Sequence, residues 1–328
     1  MREISFNRAI VEATREEMLR DETVFVMGED VEAGLTGKTG GLIDEFGPER
    51  VRDTAIAEVG IVGTAIGAAA AGMRPVAELM FWVHSYMAMD QIINQAAKMR
   101  HMFGGQGKLP LVIRGSAVTG ASAQHSDSVH AMFMHVPGLK IIAPSTPYDA
   151  KGLLKSAIRD DNPVLCFEAG NLGGLRGPVP EEEYTVPLGV ADVKREGSDV
   201  TLVAISGMVP RALAAAEALA EDGISVEVVD PRSLAPLDTD TILASVKKTG
   251  RLVVADEAQP TCGASAEIAA LVAEDDDTFE CLKAPVQRVA RKPVPVPFSP
   301  PMLRFMTPAK DTIVSAIRKV VDQTKVTA

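Results

Sequence analysis

The chain has 328 residues and a formal charge of −11; 46% of its residues are hydrophobic, 23% charged and only 4% aromatic. That length exceeds one typical domain, so two domains are expected, with cores built from Ala, Val, Leu and Ile rather than rings. The acidic balance, without a Lys/Arg run, excludes the basic stripe that nucleic-acid binding needs, and no uncharged stretch reaches the roughly 20 residues of a membrane helix.

The N-terminal MREISFNRAIVEATREEM is charged throughout and lacks an apolar signal core, so a cytoplasmic location is expected. The apolar runs Val24–Met27, Pro75–Met80, Pro110–Ile113, Leu139–Ala143 and Val164–Phe167 are short, rich in β-formers and separated by helix-like segments. This alternation predicts βαβ units around a parallel sheet buried on both faces. At residues 176–189, RGPVPEEEYTVPLG brings three prolines and three consecutive glutamates, a composition break that reads as an interdomain connector. The pattern then restarts with TLVAI (201–205), a helix Pro210–Ala220 stopped at Gly223, ISVEVVD (224–230), and a helix from about Leu237 to Lys248. RLVVAD (251–256), a helix near Ala264–Ala273 and a strand near Val286–Val289 complete it. The fold class is α/β: two doubly wound domains with mainly parallel sheets, residues 1–180 and 181–328. Cys166, Cys262 and Cys281 lie far apart with no CxxC pair and are expected to be reduced.

Three features could carry chemistry. Glu58 is the last charge before fifteen uncharged residues, Val59 to Met73. A helix there presents Gly60, Gly63, Gly67 and several alanines at three- and four-residue spacing, a face that another backbone can approach. A carboxyl at its start either complements the helix dipole, the ordinary reading, or sits desolvated and retains a proton. His125 lies in GASAQHSDS, a loop of small residues; such a histidine is most often solvent-facing, although loops also carry sites. His130 and His135 follow at spacing five, about 140° apart on a helix, so the three do not form a zinc site. RDDNP (159–163) reads by default as a capped helix end stopped by Pro163.

Several segments in order resemble one family: VFVMGEDV (24–31), EFGPERVRDTAIAEVG (45–60), MAMDQIINQAAKMRHMFGGQ (87–106), AQHSDS (123–128), HVPGLKIIAPSTPYDAKGLLKSAIRDDNPV (135–164) and KAPVQRV (283–289). They are similar to the beta subunit of the decarboxylating component of 2-oxo acid dehydrogenase complexes, shared by pyruvate, branched-chain and acetoin dehydrogenases. The resemblance runs from about residue 3 to about residue 321. It implies a pyrimidine-binding domain followed by a transketolase C-terminal domain, with thiamine diphosphate as cofactor. By match, Glu58 is the carboxyl that activates the aminopyrimidine and His125 the acid or base on the covalent intermediate. Met80, Trp82 and His84 fall in the segment that packs on the cofactor. The main-chain oxygens of Leu111, Ala157, Ile158 and Asp160, with Asn162, would hold potassium.

One absence and two departures refine this reading. The family's diphosphate motif, GDG, occurs nowhere in the chain. The phosphate charges need Mg²⁺, so the resemblance implies an alpha subunit that holds it, in an α₂β₂ tetramer. His84 stands where relatives usually have a phenylalanine, and EAGNLGGLRG (168–177) replaces a bulkier segment with four glycines, which suggests a more open pocket wall. His101, where a tyrosine is common, departs in the same way. The leading expectation is an oxidoreductase subunit that cleaves a carbon–carbon bond of a 2-oxo acid or acetoin-like substrate and passes the acyl group to a lipoyl acyltransferase. The alternatives are a split carboligase or transketolase-like lyase without a lipoyl partner, and a non-catalytic docking subunit.

Overall fold

The computed structural model describes residues 1–117 and 122–324. Gly120 and Ala121, at the start of the expected histidine loop, and the last four residues of the C-terminal segment lie outside them. The chain divides into two compact units, the first of Met1–Thr119 with His125–Leu188 and the second chiefly of Gly189–Ala328. No helix among the described residues is long and apolar enough to cross a membrane.

The first unit runs β1 (Arg2–Ser5), α1 (Phe6–Arg20), β2 (Val24–Gly28), α2 (Leu42–Phe46), β3 (Val51–Asp53), α3 (Glu58–Ala70) and β4 (Arg74–Phe81). It continues α4 (Ala97–Met102), β5 (Val112–Ala117), α5 (His130–Met134), β6 (Lys140–Ile142), α6 (Pro147–Arg159), β7 (Val164–Ala169) and β8 (Arg176–Val179). Six of its strands lie parallel in the order β6-β7-β5-β4-β2-β3, while β1 and β8 form a separate antiparallel ribbon. Every residue of β2 and β7 is buried, as expected of parallel strands covered on both faces.

Helix starts are set by local chemistry. Ser5 accepts from the Arg8 N–H ahead of α1, and Thr146 accepts from the Asp149 N–H ahead of α6, with Pro147 in its first turn. Phe6, Ala9, Ile10 and Ala13 of α1 share a core with Leu153, Leu154 and Ala157 of α6. Along the seam, Lys151 Nζ reaches Glu16 Oε1 at 2.5 Å and Arg159 Nη2 reaches Glu17 Oε1 at 2.6 Å. The acidic stretch expected to connect the domains is strapped onto α6. Glu183 pairs with Lys155 and Arg159, Tyr184 stacks on Tyr148 at 4.6 Å, and the border between units comes after Leu188.

The second unit runs β9 (Asp192–Arg195), β10 (Val200–Ala204), α7 (Val209–Ala220), β11 (Val226–Asp230), β12 (Ser233–Ala235) and α8 (Thr239–Thr249). After these come β13 (Leu252–Ala255), α9 (Ala264–Glu274), α10 (Asp276–Cys281), β14 (Gln287–Val289), α11 (Pro300–Met306) and α12 (Lys310–Thr324). Its sheet has the order β14-β13-β10-β11-β9, parallel except at β9. Leu202, Val228 and Val253 of the sheet pack with Ala212 and Leu219 of α7 and Ile313 and Ile317 of α12. Helix α8 starts two residues after the expected Leu237 because the Asp238 side chain caps the Thr241 N–H at 3.0 Å. The expected α/β class with mainly parallel sheets is observed in both units.

Candidate active site

The functional candidates meet at the carboxyl edge of the first unit's sheet, where open parallel sheets bind their ligands. β3 leads through residues 54–57 to Glu58 at the start of α3. β4 leads into a 3-10 segment, Trp82–Ala88, that carries His84, and the connection after β5 contains the Ala123–His125 turn. Glu58 Oε1 lies 3.4 Å from His84 Nδ1, within ion-pair distance. The His84 ring stands edge-on to His125, centroids 5.2 Å apart at 74°. Phe81 closes the group: it stacks on His125 at 5.4 Å and meets His84 edge-on at 5.5 Å. One carboxyl and three flat rings therefore share a single partly buried spot.

Local strain at the end of β4 produces this arrangement. Met80 adopts φ +49°, in the left-handed region that a long side chain seldom occupies. Glu78 lies opposite Arg114 but Phe81 lies opposite Ser116, so β4 carries an extra residue, a bulge that re-aims the side chains beyond it. Met80, expected among the cofactor contacts, contributes this backbone turn at the site's edge. Trp82, expected there as well, is instead a core residue. It is fully buried, its Nε1 donates to the Cys166 carbonyl at 2.8 Å, and its ring stacks on Phe167 at 3.9 Å. Its ring and its N–H are both used inside the protein, which removes it as a ligand contact.

Beside Phe81 lies a buried charge cluster that no sequence motif announces. Arg114 Nε and Nη2 donate to Glu168 at 2.8 and 3.1 Å, and Arg114 also pairs with Glu78. Lys38, from the loop after β2, reaches Glu168 Oε2 at 2.6 Å and Ser116 Oγ at 2.5 Å, while Thr36 Oγ1 donates to Glu78 at 2.7 Å. Burial opposes ionisation of Glu168, yet Arg114 and Lys38 hold its carboxyl below the ordinary value. Burial likewise pushes the Cys166 thiol up, which leaves it an inert core residue. A Cβ at Gly28 would fall 2.5 Å from the Glu78 carbonyl oxygen, so only glycine lets β2 lie this close to the cluster. Two cations and two anions thus tie the loop after β2 to the sheet beneath the site. Lys38, Glu78, Arg114 and Glu168 are far apart in the chain, so no short motif could have revealed them.

The 168–177 segment, where a more open pocket wall is expected if the loop borders the site, is anchored at several points. Glu168, Ala169 and Leu172 are buried, the Asn7 N–H donates to Gly173 O at 3.2 Å and the Phe6 N–H to Leu175 O at 2.8 Å. His130 is buried against Phe167, whereas His101 and His135 are exposed. On α3 the small-residue face is open at its far end, where nothing lies within 4 Å of a Cβ built at Gly67, whereas one at Gly63 would meet Gln91 Cγ at 3.8 Å; at the helix start Ile56 and Val59 are exposed. A cavity of about 480 Å³ beside α3 is lined by Phe25, Met27, Ile61, Thr64, Ala68 and Met73, and none of Glu58, His84 and His125 borders it.

The oxygens expected to hold potassium already receive N–H donors. Leu111 O accepts from Val164 N at 2.8 Å, and Ala157 O from Asp160 N at 3.3 Å. Ile158 O and Asp160 O accept from Arg74 Nη1 at 3.0 and 3.1 Å, and the Asn162 side-chain oxygen accepts from Arg100. Arg74 therefore rests a cation on these carbonyls, with Arg100 on Asn162 and Lys140 on Asp160, and a further ion would have to use the second lone pairs of the carbonyls.

Residues 2–173 match the family described as transketolase, pyrimidine binding domain, and residues 189–313 that described as transketolase, C-terminal domain. The acetoin:2,6-dichlorophenolindophenol oxidoreductase subunit beta of Bacillus subtilis (strain 168) is 48% identical over 330 residues, covering 96% of each chain. The pyruvate dehydrogenase E1 component subunit beta of Rickettsia felis is 45% identical, covering 97% of this chain and 98% of that one. The chain belongs to the family of pyruvate and acetoin dehydrogenase beta subunits. Members are oxidoreductase components of the 2-oxo acid dehydrogenase type with transketolase-like, thiamine diphosphate-dependent domains, and a beta subunit implies an alpha partner. Among solved structures, one described as split gene transketolase, inactive beta4 tetramer, is 26% identical, with a TM-score of 0.81 over 98% of this chain and 99% of that one. The shielded Glu58 carboxyl and the surrounding rings fit the pyrimidine half of the cofactor. Among the described residues no group of three or more His, Cys, Asp or Glu could hold a metal ion.

Proposed function

We propose that this chain supplies the cofactor-activating half of a 2-oxo acid or acetoin dehydrogenase active site. An alpha subunit completes it with Mg²⁺ and diphosphate ligands in an α₂β₂ assembly, and the acyl product passes to a lipoyl acyltransferase. The observation that carries this reading is the convergence of Glu58, His84 and His125 at the carboxyl edge of one parallel sheet. Thiamine diphosphate, when bound, supplies the carbon nucleophile and the electron sink. Glu58 stands partly shielded at the start of α3, so its carboxyl is placed to hydrogen-bond a ring nitrogen. The rings of Phe81 and His84 offer a wall for a flat heterocycle. His125, braced by Phe81, gives or takes a proton at an oxygen of the acyl unit. The turn at 157–162 takes a monovalent cation on its free lone pairs, a role tested by comparing thermal stability in KCl and NaCl.

Calorimetric titration of thiamine diphosphate with Mg²⁺, first into this chain alone and then into the chain co-expressed with an alpha subunit, tests the half-site. Tight binding only with the partner is the expected result, and tight binding to the isolated chain would contradict it. A second reading, a split carboligase without a lipoyl partner, draws on the likeness to the split gene transketolase and predicts full turnover when the acyltransferase is omitted. A docking-only role predicts that Glu58→Gln leaves the activity of the assembled complex unchanged.

A further inference from the structure

We infer that His84 is a positioning residue that stands against Glu58 in the unloaded chain, so that an arriving aminopyrimidine must displace it to reach the carboxyl. The inference rests on the cofactor reading above but starts from this chain's own contacts. Among the described residues, His84 is the group in ion-pair range of Glu58, at 3.4 Å, and both side chains are partly shielded, at 22% and 14% exposure. Besides Glu58 on α3, the titratable group facing His84 is His125, edge-on at 5.2 Å, and the remaining side is the Phe81 ring. The imidazole is therefore flanked by these neighbours with Nδ1 at 3.4 Å from the carboxyl.

The bulge at Met80 puts residue 84 in this place, so the identity of that side chain decides what the carboxyl meets. A phenylalanine would offer Glu58 a face without charge or donor. A histidine places a ring nitrogen 3.4 Å from the carboxyl oxygen that an arriving ring nitrogen would use. Cofactor binding must then break a contact that a phenylalanine-bearing chain never makes, and occupancy of the site is set by competition between two nitrogen groups for one carboxyl.

The test has two arms. In the first, thermal midpoints of the purified, cofactor-free chain are measured for wild type, His84→Phe, Glu58→Gln and the double variant. The single shifts are expected to fail additivity by about 1–3 °C, and additive shifts would remove the pairing. His84→Gln keeps a polar side chain and removes the imidazole, so it should reproduce the His84→Phe result even if the aromatic variant folds poorly. In the second arm, calorimetry on the assembled complex should show His84→Phe binding thiamine diphosphate about three- to tenfold more tightly, with the gain lost in the Glu58→Gln background. Equal or weaker binding would overturn displacement. If the wild-type complex binds no cofactor, the functional reading fails, while the thermal cycle still decides whether His84 pairs with Glu58.

Discussion

Arg114 grips both carboxylate oxygens of Glu168, at 2.8 and 3.1 Å, across the neighbouring strands β5 and β7, and both side chains are almost wholly buried. Lys38 shares the same carboxylate from a loop. Removing one anion from this neutral set leaves two cations facing a single remaining carboxylate in the interior. Glu168→Gln should therefore cost about 3–5 kcal/mol of stability, read from urea unfolding. A loss below about 1 kcal/mol would mean that the cluster is solvated in solution.

Glu168, and more weakly the exposed Glu183, make the fold sensitive to acid. Glu168 titrates below its ordinary value because Arg114 and Lys38 outweigh the cost of burial, and Glu183 does so because it accepts from Lys155 and Arg159. A carboxyl whose folded-state pKa lies below its unfolded value, about 4.3 for glutamate, binds protons more weakly when folded. Its stabilisation is complete above that unfolded value and is lost as pH falls from there through the lower folded-state value. Unfolding free energy measured from pH 7 downwards should accordingly hold level and then drop through the acid range. A profile that stays flat down to about pH 3 would contradict the assignment.

Much of this was legible in the sequence, and the exceptions share a cause. Residues such as Val24–Met27 and Val164–Phe167 declare buried parallel strands because apolar β-formers run without alternation, and Thr146-Pro147 announces the start of α6 by cap chemistry alone. Glu58 and His125 were marked by family motif and not by local pattern, since a first-turn acid and a loop histidine look ordinary. Trp82 lies in the segment that the resemblance sets against the cofactor, but a segment match does not say which of its side chains face the site, and the bulge at Met80 re-aims those beyond it. No residue type there signals a positive φ. Lys38, Glu78, Arg114 and Glu168 escaped notice because only the folded sheet and its loops bring them together.

The reassignment of Trp82 separates two outcomes cleanly. Trp82→Phe keeps most of the ring contact with Phe167 but removes the donor to the Cys166 carbonyl. It should lower stability by about 1–3 kcal/mol, the cost of leaving a buried acceptor without its partner. Cofactor affinity of the assembled complex should change by less than about twofold, an energy below the worth of one hydrogen bond. A large loss of affinity with stability intact would return Trp82 to the ligand site.

His125 gives the sharpest separation between the enzymatic readings. Its ring is stacked by Phe81 and flanked by His84, while the group in ion-pair range of Glu58 is His84, so loss of His125 should spare the carboxyl that receives the cofactor. In the complex with an alpha subunit, His125→Ala should bind thiamine diphosphate nearly as wild type. Acyl transfer to a lipoyl domain should fall by about 10²- to 10⁴-fold, the usual contribution of a positioned acid or base. Reduction of an artificial dye by the same variant isolates the earlier chemistry, because a dye takes electrons without needing the acyl group delivered to sulfur. If dye reduction survives while lipoyl transfer collapses, His125 acts at the transfer step and the lipoyl-dependent reading gains its decisive support. Equal loss in both assays would move His125 to the carbon–carbon cleavage step, where a carboligase would need it too. Wild-type rates in both would remove it from the reaction altogether.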